Sequence, residues 1–184
     1  MSSLSQQQKA AAETFVRVVI DALKTDKGVH AETAVAAMAR MAGTFLFRSF
    51  AFPPSDITPG QAVLSDMAND QGPRLIQILG AVLAQAGLNL DRSKLGASVN
   101  TASQPLLAFL DTQRQLEPVF TGIKERLDLS YQEAADSAAV ATALLIQQCA
   151  PVLDPNAAFG IAAYSFVEGS KTAPDPVSIS RPAA

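Results

Sequence analysis

Residues 30–52 read HAETAVAAMARMAGTFLFRSFAF, the longest nearly apolar segment of the chain and the one that carries four of its nine phenylalanines. On an α-helical wheel His30, Thr33, Arg40, Thr44 and Arg48 share a sector roughly 80° wide. Val35, Met38, Ala39, Ala42, Gly43, Phe45, Leu46, Phe47 and Phe50 cover roughly 200° of the rest, more than one flat contact needs. Ala39 and Gly43, one turn apart, leave room for a neighbouring backbone to come close. The segment is long enough to cross a bilayer, but Arg40 and Arg48 would each cost about 2.5–3.5 kcal/mol inside the hydrocarbon. The expectation is therefore the central helix of a bundle in water. Its polar stripe would be the helix's only line to solvent or to an internal cavity.

N-terminal to this segment, residues 5–24 form an amphipathic helix with Phe15, Val16, Val19 and Leu23 on one side and Glu13, Arg17, Asp21 and Lys24 on the other. Asp26, Lys27 and Gly28 make the turn into the central segment. Beyond it, Pro53 and Pro54 stop the helix, since neither donates a backbone hydrogen bond. Thr58, Pro59 and Gln61 read as a helix start reaching to about Asn69, and Gly72 with Pro73 resets the chain before a helix over 74–86. Residues 88–104, LNLDRSKLGASVNTASQ, are rich in Ser, Thr, Gly and Asn, which weaken the helix that Asp91 could cap. Pro105 begins a longer helix that Pro118 kinks or divides. Ser130 and Glu133 form a capping box ahead of a second very apolar helix, which Pro151 ends, and the last helix runs from Asp154 and Pro155 to Gly169.

No stretch alternates with period two, and no repeat length recurs. The sequence predicts an all-α fold: one domain over residues 1–172, a helical bundle of six to eight helices around a central, nearly apolar helix. Residues 173–184, with three prolines and few apolar side chains, read as a mobile tail.

The chain has 184 residues, enough to bury about 70% of the surface its unfolded form exposes. Charged residues make up 17%, below the usual share of about a quarter, so the surface has few charges to solvate it. That favours a homo-oligomer, with a homodimer as the simplest form. A net charge of -3 and no cluster of Lys or Arg argue against nucleic acid or a membrane as partner. The opening residues lack a basic region followed by an apolar run, and a single cysteine excludes an internal disulfide. The expected place is the reducing cytoplasm.

Catalytic patterns are sparse. The one histidine and the absence of a Glu-x-x-His pattern give no metal site, and neither a Walker A loop nor a dinucleotide fingerprint is present, so no cofactor is expected. Cys149 lies at a helix C-terminus, where a thiolate is not favoured. Glu133 with Asp136, and Asp66 with Asp70, lie on adjacent turns, where solvated carboxylates are ordinary. Phe45, Phe47, Phe50 and Phe52 fit a core better than an exposed interface.

The most specific candidate is the stripe itself. Arg40 and Arg48, roughly 12 Å apart along the axis with Thr44 between them and His30 at the same azimuth, could hold a carboxylate or phosphate. Against this stands a plainer reading in which the two heads meet water or pair with Asp or Glu. The sequence thus suggests a non-enzymatic binding or interaction protein that acts as a homo-oligomer and engages a protein partner or a small anionic ligand. The alternative is an enzyme or carrier that holds an anionic ligand through the Arg40/Arg48 stripe.

Overall fold

Side chains cap five of the six helices in the described residues, 4–50, 57–88, 90 and 104–176, of this computed structural model. Ser5 opens α1 (Gln6–Leu23) with a capping box to Gln8. His30 opens α2 (Ala31–Ser49), its ring accepting from the Thr33 N–H, and Ser65 opens α3 (Asp66–Gln85). α4 (Phe109–Arg126) follows Ala108 without a side-chain cap. Ser130 and Glu133 close the expected capping box of α5 (Tyr131–Cys149), and Asp154 with Pro155 at the first position opens α6 (Pro155–Lys171). The fold is an all-α bundle, and no helix among the described residues is long and apolar enough to cross a membrane.

α2 is the centre. Every residue from Thr33 to Phe47 is buried, and α2 touches each of the other five helices, α6 and α5 most extensively. A helix apolar on nearly all sides reaches its lowest free energy when enclosed in this way. The crossing with α6 is closest at Gly43 and Gly169. A Cβ on Gly43 would lie 2.6 Å from the Phe166 carbonyl oxygen, and one on Gly169 would meet the Arg40 carbonyl. Gly169 therefore does not stop α6, as its sequence position suggests, but serves as a contact point inside it.

A second node joins four helices. Phe15 and Phe120 stack with centroids 4.2 Å apart, Phe45 lies tilted 6.2 Å from both, and Tyr131 meets Phe45 at 5.8 Å. Phe45 and Phe47 are thus core residues. Phe52, Pro53 and Pro54 lie outside the described residues, as does the weak helix that Asp91 would cap.

Three boundaries differ from the sequence reading. Thr58 and Gln61 do bond, Thr58 N–H to Gln61 Oε1 at 3.2 Å, but they close a turn rather than begin a helix. α3 starts at Asp66 and continues through Gly72 and Pro73. An interior proline leaves one carbonyl without its helical donor, here that of Asn69, and both Pro73 and Asn69 are exposed, so water can serve that oxygen. Pro118 is likewise on the exposed side of α4, which stays one helix and starts at Phe109 rather than Pro105.

The third difference concerns residues 173–176, assigned above to a mobile tail. Ala173 and Pro174 are buried, and Thr172 bridges to Ala62. The Gly60 N–H donates to the Ala173 carbonyl and the Ala173 N–H to the Gln61 carbonyl, both at 2.8 Å. The rest of that tail, 177–184, lies outside the described residues.

Candidate functional site

The polar stripe of α2 is not a wet edge. Arg40 is 8% exposed and Thr44 not at all. Arg40 Nε donates to Glu168 Oε2 on α6 at 2.6 Å, and its Nη1 donates to the Leu107 carbonyl at 2.6 Å and to Thr112 Oγ1 at 3.3 Å. Arg48 makes a two-point contact with Glu117 on α4, at 2.7 and 3.0 Å, and donates to the Asp175 carbonyl at 2.6 Å. The planar guanidinium suits such paired recognition of a carboxylate. Thr44 Oγ1, between them, is buried without a partner among the described residues. These ties hold α4, α6 and the segment 172–175 against α2.

His30 is not part of that network. It lies ten residues before Arg40, roughly 15 Å along the helix axis. Its Nδ1 is 3.3 Å from the Thr33 N–H that it caps and 2.8 Å from Thr33 Oγ1, while Thr33 Oγ1 accepts from the Leu106 N–H at 3.0 Å. With Nδ1 accepting, the proton of the neutral ring sits on Nε2, 3.5 Å from Glu32. The chain of bonds from Leu106 through Thr33 to His30 fixes the ring. The four candidates therefore divide: Arg40, Thr44 and Arg48 lie within the bundle, and His30 lies at its end.

At that end is a half-open cavity of about 530 Å³, lined by Ala22, Leu23, Lys24, Thr25, Lys27, Gly28, Val29, His30, Thr33, Leu106, Leu107 and Gln115. Its size falls within the roughly 300–1,000 Å³ of small-molecule sites. One wall is the α1–α2 turn, closed by reciprocal backbone bonds between Thr25 and Gly28 at 3.0 and 3.1 Å. Gly28 has φ 97°, a conformation that costs glycine little. The opposite wall is Leu106 and Leu107, held by Thr33 and by Arg40. Gln115 of α4 donates to the Ala22 carbonyl at 2.9 Å and joins the two walls. Arg40 thus positions the cavity from behind, while His30 and Thr33 face it. A smaller recess of about 230 Å³ lies among Ser49, Phe50, Met67, Gln71 and Gln132.

The other titratable candidates have structural duties. The Glu133 carboxyl is held low by the backbone N–H and hydroxyl of Ser130. Asp136 is 4% exposed and binds Arg74 through both oxygens; burial pushes its carboxyl up, against the pull of that guanidinium. Burial, with the nearby charge of Glu32, pushes the Cys149 thiol up, away from the thiolate. Asp66 and Asp70 are exposed on α3. Among the described residues no three His, Cys, Asp or Glu side chains group as metal ligands.

Sequence reasoning found the stripe but neither its partners nor the cavity. Glu117, Glu168 and Asp175 lie 69, 128 and 127 positions from the arginines they meet, and no local pattern signals such pairings. Lys24 is legible only as part of the polar side of the first helix and Lys27 only as a turn residue, until Leu106 is brought beside them in the cavity lining. No family model, curated protein or solved structure matches this chain.

Proposed function

We propose that the protein is a non-enzymatic binding protein that takes a small, largely apolar molecule bearing a negative group into the cavity at the α1–α2 turn. The observation that carries this reading is the cavity itself: about 530 Å³, apolar on the walls formed by Ala22, Leu23, Val29, Leu106 and Leu107, with Lys24 and Lys27 on its lining. The chemistry elsewhere supports binding over catalysis. The one histidine caps a helix through Nδ1, and burial pushes the one thiol up, away from the thiolate. The alternative, an enzyme or carrier using Arg40 and Arg48 as the anion site, requires a ligand to displace Glu168 or Glu117 from short, largely buried contacts.

Self-association is part of the same proposal. Tyr164, 69% exposed, and Val167, 44%, lie one turn apart on the outer side of α6. Leu64, 84% exposed, follows Val63, whose N–H is bonded to the Lys171 carbonyl at the end of that helix. A second copy covering these side chains would remove apolar surface that a chain with 17% charged residues solvates poorly. The reducing cytoplasm is the proposed location, on the single cysteine. Native mass spectrometry of protein purified gently from its own host tests both parts. A dimer carrying a small acidic molecule, lost when Leu106→Trp narrows the cavity mouth, is the expected spectrum. A bare monomer would contradict it.

A further inference from the structure

We infer that the ligand class of this cavity is an amphiphilic monoanion, with a medium-chain carboxylate as its simplest member: the chain lies against Leu23, Val29 and Leu107, and the carboxylate sits at the mouth between Lys24 and Lys27. The inference rests on the proposed binding role and concerns what is bound.

Four observations lead to it. Among the described residues the lining contains two lysines and no Asp or Glu, so the fixed charge these residues bring is positive. Among the described residues neither lysine has an ion pair, whereas Arg40, Arg48, Arg74 and Arg114 each hold a carboxylate. The long stems of Lys24 and Lys27 can lie over apolar walls while the ammonium groups reach an incoming anion. α2 also begins here, and the positive end of its dipole is shared between the cavity and Glu32 in its first turn, while at the end of α1 the Gln115 amide covers the Ala22 carbonyl. Size then limits the chain. A volume of 530 Å³ corresponds to roughly 18 non-hydrogen atoms at the ~30 Å³ each that water occupies in the liquid. A chain of about ten carbons fits that limit, and a full-length membrane lipid does not.

Isothermal titration of the full chain with decanoate, 1-decanol and decylammonium, all below their aggregation concentrations, tests the inference. Decanoate should bind one per chain and the other two at least about tenfold more weakly, a difference of roughly 1.4 kcal/mol. Lys24→Ala with Lys27→Ala should bring decanoate down to the affinity of decanol and leave decanol unchanged. Both positions are exposed, so the fold should tolerate the pair. Equal affinities for the three probes would overturn the ligand class while leaving a binding cavity in place. No binding of any probe, or binding of several copies that Leu106→Trp does not weaken, would overturn the cavity as a site and the inference with it.

Discussion

At the scale of single residues, the molecule depends on groups whose role is set by what they touch. Gly43 and Ala39 were legible as small residues for a close approach, and Gly43 fulfils that role against Gly169. The partner was not legible, because Gly169 in isolation looks like a helix stop. Gly43→Ala should lower stability by about 1–3 kcal/mol through overpacking, despite the better helix propensity of alanine. Gly122→Ala, on the exposed side of α4 with open space around its Cβ position, should raise it by about 0.5–1 kcal/mol. Urea unfolding of the two variants checks the contrast, and equal effects would contradict the crossing geometry.

Arg48 gives a second contrast at this scale. Arg48→Ala leaves Glu117, with 8% of its side chain exposed, without its counter-charge, and should cost about 3–5 kcal/mol. Adding Glu117→Leu should restore much of the loss. Decanoate affinity measured in the single variant, under conditions where it is folded, should equal that of the parent; a fall would return the arginine stripe to the status of ligand site.

Asp136 adds a dependence on pH. Because burial raises its folded pKa above the ordinary value, the folded state holds this proton more tightly than the unfolded chain does. The ionised form therefore costs stability, and that cost is absent in acid and grows as pH rises through the raised value. Arg74 opposes the cost. In Arg74→Ala the carboxyl should rise further, so the melting-temperature gap from the parent should be small near pH 4 and wider near pH 7. A gap independent of pH would show that Arg74 acts through packing alone.

At the scale of elements, hydrophobic period and caps located the helices, and long-range contacts decided their ends. Ser5, Ser130 with Glu133, and Asp154 with Pro155 announced their helices because a cap is a local device whose two partners lie three residues apart. The two interior prolines misled because their cost depends on whether water reaches the freed carbonyl, which is a fact of the fold. Residues 173–175 looked like a tail because they open a stretch, 173–184, with three prolines and few apolar side chains. What holds them is distant: Gln113 Oε1 accepts from the Asp175 N–H at 2.9 Å, Arg114 binds its carboxylate at 2.6 Å, and Arg48 binds its carbonyl at 2.6 Å. Truncation after Thr172 removes all three bonds and the buried Ala173 and Pro174. The melting temperature should fall by several degrees in a calorimetric scan, and an unchanged value would mean that the segment is only laid on the surface.

At the scale of the whole molecule, the all-α class and the central place of α2 were legible, because an apolar helix with a narrow polar stripe must be enclosed. The site was only half legible. Residues His30, Thr33, Arg40, Thr44 and Arg48 share an azimuth, but the fold assigns them different work along the axis. The C-terminal part of the stripe, Arg48, clamps α4 and residues 172–175, Arg40 ties α6 through Glu168 and anchors Leu107, and the N-terminal part, His30 and Thr33, opens on the cavity. The proposed function therefore rests on one end of α2 and not on its length.

Amide-resolved NMR of the full chain titrated with decanoate tests that assignment most directly. Shift changes should concentrate at Gly28, His30, Thr33, Leu106, Leu107 and the side-chain amide of Gln115, saturating at one ligand per chain. Changes centred on Arg48, Gln113 and Asp175, or none at all, would contradict it.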